Sequence, residues 1–113
     1  MKEIKAIIQP FMLSKVVEAL KEIEGLPGVT VSDVRGFGRA RAAGAPDTVV
    51  EGTVEYVKKS KLEVVVPDNL TKVVVQTIRK KAHTANPGDG KIFVYTVDDV
   101  VRIRTGEQAD AGI

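Results

Sequence analysis

The sequence predicts an α+β fold, a ferredoxin-like βαββαβ sandwich with its helices on one face of an antiparallel sheet. Three observations predict it. Apolar residues recur with a period of two in several separate stretches. Two stretches between them switch to the i, i+3, i+4, i+7 spacing of an amphipathic helix. Proline or glycine punctuates the junctions.

Taken in order, "KEIKAIIQP" alternates at Ile4, Ala6 and Ile8, with Ile7 between them, and stops at Pro10, which reads as a strand. Leu13, Val16, Val17 and Leu20 then share one helical face, with Ser14 as the expected cap and Gly25 with Pro27 as the stop. "GVTVSDVRGFG" returns to a period of two. A strand from about Thr53 to Val66 puts Leu62, Val64 and Val66 on one face. Pro67 and Asp68 open a second helix whose Leu70, Val73, Val74 and Ile78 face together. Arg79, Lys80 and Lys81 suit that helix's negative C-terminal end. "KIFVYTV" is the next strand, and "VVRIR" is predicted as a short strand appended to the fold.

At 113 residues the chain is expected to be one domain, 1–113, small enough that an oligomer is the natural expectation. Its 43% hydrophobic and 28% charged content is that of an ordinary soluble protein. No apolar run approaches the roughly 20 residues of a membrane span, and "MKEIKAIIQP" lacks a signal-peptide pattern. Cysteine is absent, which excludes disulfides and thiolate metal sites and fits a cytoplasmic setting. A net charge of +2 is too weak for a dedicated nucleic-acid binder.

"RARAAGAPDTVVE", residues 39–51, is far longer than a hairpin connection needs. It holds small residues, charges, Gly44 and Pro46, and almost nothing to bury before Val49. A disordered insertion of no consequence would look like this. So would a flexible arm that orders against a partner, and that reading is preferred.

Three basic clusters carry the chemistry. Arg102 and Arg104 are two apart, so on a strand both guanidinium forks leave one face and together suit phosphate or carboxylate oxygens. A charged edge strand is the competing explanation. In "ANPGDGK", Gly88 and Gly90 allow backbone N–H groups to converge on an anion, Asp89 suits a turn-forming side chain, and Lys91 closes the loop. A plain tight turn competes with that reading. In "RGFGR", Gly36 and Gly38 flank Phe37 and permit close approach of a flat ligand or a second chain before Arg39. One polyphosphate ligand explains all three clusters better than three coincidences do.

In order and spacing, "IKAIIQPF", "VRGFGR", "KLEVVVPD", "GDGKIFV" and "RIRTGE" make the chain resemble the PII signal-transduction proteins nearly end to end. The resemblance implies a homotrimer that binds ATP or ADP, with AMP a third candidate, in clefts between subunits. It implies regulation of a target protein through a flexible loop at 39–52. Gly88, Asp89, Gly90 and Lys91, within a loop at 84–91, would wrap the phosphates. Arg102 and Arg104, in a C-terminal loop at 102–107, would reach them from the neighbouring subunit. Gly36, Phe37, Gly38 and Arg39 would line the cleft at the arm's root, and Ile7, Thr30 and Val65 would lie near the adenine.

Departures from the family pattern point to a divergent branch. Where relatives carry a glutamine that helps hold magnesium and 2-oxoglutarate, this chain has Ala40, which offers no oxygen ligand. Lys59 matches the lysine that contacts the keto acid, so half of that pair remains, and magnesium and 2-oxoglutarate stay open as ligands. The position of the uridylylated arm tyrosine is Gly52. An orthodox 2-oxoglutarate and ATP nitrogen sensor, controlling ammonium transport or glutamine synthetase, is the alternative. The opening of the chain also resembles a branch whose genes sit beside heavy-metal efflux transporters. A membrane transporter, either an ammonium channel or a metal-efflux pump, is therefore an expected partner.

Other classes fit less well. An RNA-recognition module shares the βαββαβ order, but it stacks bases on sheet aromatics, which are only 4% of this chain. Nucleotide hydrolysis needs a metal-holding acid and a water-positioning group beside the phosphates, and Asp89 is the only obvious acid there. No catalytic residue and no metal ligand is assigned; His83, the single histidine, is expected to flank the end of the second helix.

Overall fold

A computed structural model describes residues 1–38 and 48–113. The strands are β1 (Lys2–Ile8), β2 (Thr30–Gly36), β3 (Thr48–Glu51), β4 (Val54–Val66) and β5 (Gly90–Thr96), and the helices are α1 (Leu13–Lys21) and α2 (Asp68–Ala82). The sheet runs β2-β4-β1-β5, with every pairing antiparallel and β3 joined to β4. This is the predicted ferredoxin-like sandwich, with one extra strand.

The core follows from strand alternation. Ile4, Ala6 and Ile8 face the same side as Leu62, Val64 and Val66, and all six are buried. Val16 and Leu20 of α1 and Val74, Ile78 and Ala82 of α2 close over them. Each large apolar side chain so buried is worth roughly 1.5–3 kcal/mol. Val73 departs from expectation: it is 41% exposed, on the flank of α2 away from the sheet.

The opposite face of the sheet carries no helix. By register, Glu3, Lys5 and Ile7 of β1 share it with Lys59, Lys61, Glu63 and Val65 of β4, Thr30 and Val34 of β2, and Lys91, Phe93 and Tyr95 of β5. The Lys5 ammonium lies over the Phe93 and Tyr95 rings, 5.3 and 5.0 Å from their centroids. Lys61 and Glu63 pair at 3.4 Å. A hydrogen bond with Glu63 raises the Glu3 carboxyl above its ordinary value, helped by burial.

Several boundaries differ from expectation. Ser14 caps nothing: a 3-10 turn at Pro10–Met12, closed by the Met12 N–H on the Gln9 carbonyl at 3.0 Å, feeds straight into α1. That helix ends at Lys21, ahead of Gly25, whose φ of 84° bends the chain further on. Residues 48–51 of the expected arm are strand, paired with β4 across a turn at Gly52, φ 60°. Arg39, Ala40 and the rest of 39–47 lie outside the described residues.

"VVRIR" is not a strand. Val101 makes an isolated bridge to Gln108, and the chain between them reverses. The Arg102 N–H donates to the Glu107 carbonyl at 2.8 Å, the Gly106 N–H to the Arg102 carbonyl at 2.7 Å, and Gly106 sits at φ 75°. Turn chemistry at Thr105 and Gly106 overrides the alternating pattern, so Arg102 and Arg104 occupy a turn rather than one strand face.

Candidate functional site

The glycine loop is built around Asp89. Its carboxylate accepts hydrogen bonds from the Thr84 N–H at 2.8 Å, the Ala85 N–H at 3.2 Å, the Gln9 amide at 3.3 Å and the Thr84 hydroxyl. Burial alone would raise this carboxyl, but the hydrogen bonds from Thr84, Ala85 and Gln9 outweigh it and hold the group below its ordinary value. The acid is thus committed to folding the loop, the turn-forming role expected of it. Thr84 and Gln9, which make that possible, were not among the expected site residues. Thr84's place between a helix end and a glycine turn is the signal that could have found it.

Gly88 and Gly90 both sit in the left-handed region, at φ 93° and 105°. The Lys59 ammonium donates to the Gly88 carbonyl, tying β4 to the loop. Lys91 is exposed and pairs in register with Ile7. The root of the arm reaches the same end of the sheet, since Val34 faces Lys59 and Gly36 faces Val57 on β4. Gly38 follows there, and Phe37, 73% exposed, leans on Tyr56 at 6.2 Å between centroids. Arg35 secures the β3–β4 hairpin through Glu51 at 2.8 Å. Ile7, Gly36, Phe37, Gly38, Lys59, Gly88, Asp89, Gly90 and Lys91 therefore gather at one end.

Thr30 and Val65 lie at the other. Val65 is level with Glu3 on β1 and Thr30 with Glu63 on β4. A cavity of about 330 Å³ there is lined by Gly28, Thr30, Val65, Val100, Gly112 and Ile113, among others. The turn bearing Arg102 and Arg104 adjoins Val100 at this end, and both arginines are exposed. Glu3 and Ile7 are four residues apart on one strand, about 13 Å at strand rise. Ile7 is thus separated within one chain from Thr30 and Val65, with which it was expected to share an adenine site. The two groups are both on the helix-free face or its margins, yet at opposite ends of it.

Among the described residues no group of three His, Cys, Asp or Glu side chains is arranged to hold a metal ion. Among the described residues, too, no helix is long and apolar enough to cross a membrane.

Comparison with known proteins gives this geometry a context. The model of the family described as Nitrogen regulatory protein P-II matches residues 1–107. Nitrogen regulatory protein P-II 1 of Escherichia coli (strain K12) is 49% identical over 113 residues, the whole of both chains. Nitrogen regulatory protein P-II of Azospirillum brasilense is 46% identical, again over the whole of both. The crystal structure of Arabidopsis thaliana PII bound to citrate superposes with a TM-score of 0.79 at 39% identity, covering 99% of this chain and 91% of that one. The chain therefore belongs to the P-II family of nitrogen regulatory proteins, whose members are signalling regulators rather than enzymes.

Proposed function

We propose that this chain works as a homotrimer that binds ATP or ADP in clefts between subunits and regulates a target protein through the segment 39–52. One observation carries the reading: the phosphate-loop group and the Thr30, Val65, Arg102 and Arg104 group lie at opposite ends of one sheet. A single copy cannot close both around one ligand, whereas one copy's loop end against another's far end can. Lys91 and the loop N–H groups then meet the phosphates from one side and Arg102 and Arg104 from the other, with Ile7, Thr30 and Val65 around the base. Before ligand arrives these cations repel one another, so a polyphosphate is the matching charge.

Arg39 and Ala40 follow Gly38 directly in the sequence, so occupancy is transmitted to the arm by way of its root. Ala40 supplies no oxygen for magnesium, which makes 2-oxoglutarate sensing weaker than in glutamine-bearing relatives. Lys59 favours retention of some keto-acid response. The target is a membrane transporter, and the protein acts in the cytoplasm.

Calorimetric titration with ATP, ADP and AMP, each with and without magnesium and 2-oxoglutarate, tests the proposal. Nucleotide binding without a 2-oxoglutarate effect is expected. Strong synergy between MgATP and 2-oxoglutarate would restore the orthodox nitrogen-sensor reading, and no binding at all would overturn the nucleotide reading.

A further inference from the structure

The last six residues fold back onto the arginine turn. Gln108 bridges Val101, the Ala109 N–H donates to the Asp99 carboxylate at 3.3 Å, and a 3-10 turn spans Ala109–Gly112. Gly112 is buried so closely that an added Cβ would lie 2.7 Å from both the Glu107 and Val100 carbonyl oxygens. This packing delivers a main-chain oxygen of Ile113 to the Arg102 guanidinium, which donates to it through Nη2. Gly112 and Ile113 also line the cavity shared by Thr30 and Val65. The tail therefore does two things at once: it supplies an oxygen to Arg102, and it occupies one wall of the space beside the residues assigned to the base.

We propose that residues 108–113 are a built-in competitor for the nucleotide, and that binding requires the Ile113 oxygen to yield Arg102 to a phosphate oxygen. This rests on the inter-subunit nucleotide reading and adds a regulatory element to it. An oxygen acceptor held by its own chain has a high effective concentration, so it lowers the apparent affinity without blocking the site. It also couples the tail to occupancy. Arg102 is docked on Ile113, and the tail is released when a phosphate oxygen takes Arg102 instead.

Two measurements on the 113-residue chain test this. The first compares ATP binding by calorimetry to the wild type and to Gly112→Val, whose side chain has no room against the Glu107 and Val100 carbonyls. Lifting the tail is expected to tighten binding about two- to tenfold, the range left for one exposed hydrogen bond. Unchanged or weaker binding by a folded variant overturns the inference. The second uses wild-type protein alone and so does not depend on the variant's folding. Hydrogen exchange in residues 108–113 is expected to accelerate at saturating ATP, and slowed or unchanged exchange overturns the inference. Wild type that fails to bind ATP overturns the nucleotide reading and this inference with it, an outcome distinct from binding that ignores the tail.

Discussion

Gly90 and Ile7 meet more closely than any side chain allows: a Cβ on Gly90 would lie 1.7 Å from the Ile7 carbonyl oxygen. The same residue sits at φ 105°, where L-residues are strained whatever the space. Replacement by alanine is therefore expected to separate the start of β5 from β1 and to destabilise the protein by about 2–4 kcal/mol. Urea unfolding of Gly90→Ala checks this. Gly38→Ala, with nothing within 4 Å of its added Cβ, serves as the mild control.

Asp89→Asn is expected to cost about 1–3 kcal/mol, because an amide cannot accept all the bonds the carboxylate now takes from Thr84, Ala85 and Gln9. The pH dependence has a definite sign. The folded carboxyl titrates below its ordinary value of 3.8, so its stabilisation is complete above that value. It is lost as pH falls below 3.8 and through the folded-state value. Wild type and Asp89→Asn should differ in urea midpoint at pH 6 and converge towards pH 2.5.

Arg102→Ala should weaken ATP binding by about 1.5–3 kcal/mol, the scale of a charged hydrogen bond, with the unfolding midpoint nearly unchanged because the side chain is exposed. Calorimetry beside urea unfolding separates the two effects. Unaltered affinity would remove the far-end arginines from the phosphate cradle.

Leu62→Ala should cost about 2–5 kcal/mol, since Leu62 is 1% exposed among Ala6, Val64 and the helices and the gap cannot fill. Val73→Ala, at 41% exposure on α2, should change stability by well under about 1 kcal/mol. The pair tests whether the core runs where the alternation of β4 puts it.

Much of this was legible in the sequence because periodicity and burial coincide. Ile4, Ala6, Ile8, Leu62, Val64 and Val66 alternate since one sheet face is covered and the other is not. β3 was not legible: Thr48–Glu51 is four residues, mostly exposed, and takes its structure from pairing with β4 rather than from burial. At Val101–Arg104 the alternating pattern misled, because Gly106 and the Glu107 carbonyl reverse the chain before a second strand can pair. In the candidate site, glycine and arginine spacing singles out Gly88, Gly90, Lys91, Arg102 and Arg104 as candidates, while Ile7, Thr30 and Val65 come from the family resemblance alone. The division of these residues between two ends was not legible, because it depends on register: Ile7 level with Lys91, and Val65 level with Glu3.

That division has a genetic consequence. A chain damaged only at Lys91 keeps a sound far end, and a chain damaged only at Arg102 keeps a sound loop end. If Lys91 of one copy and Arg102 of another share a cleft as proposed, each variant alone assembles with every cleft defective. Mixed, the two cure one another wherever the sound ends happen to face, so two inactive alleles are expected to restore binding when expressed together. A ligand pocket contained within one chain has no such remedy.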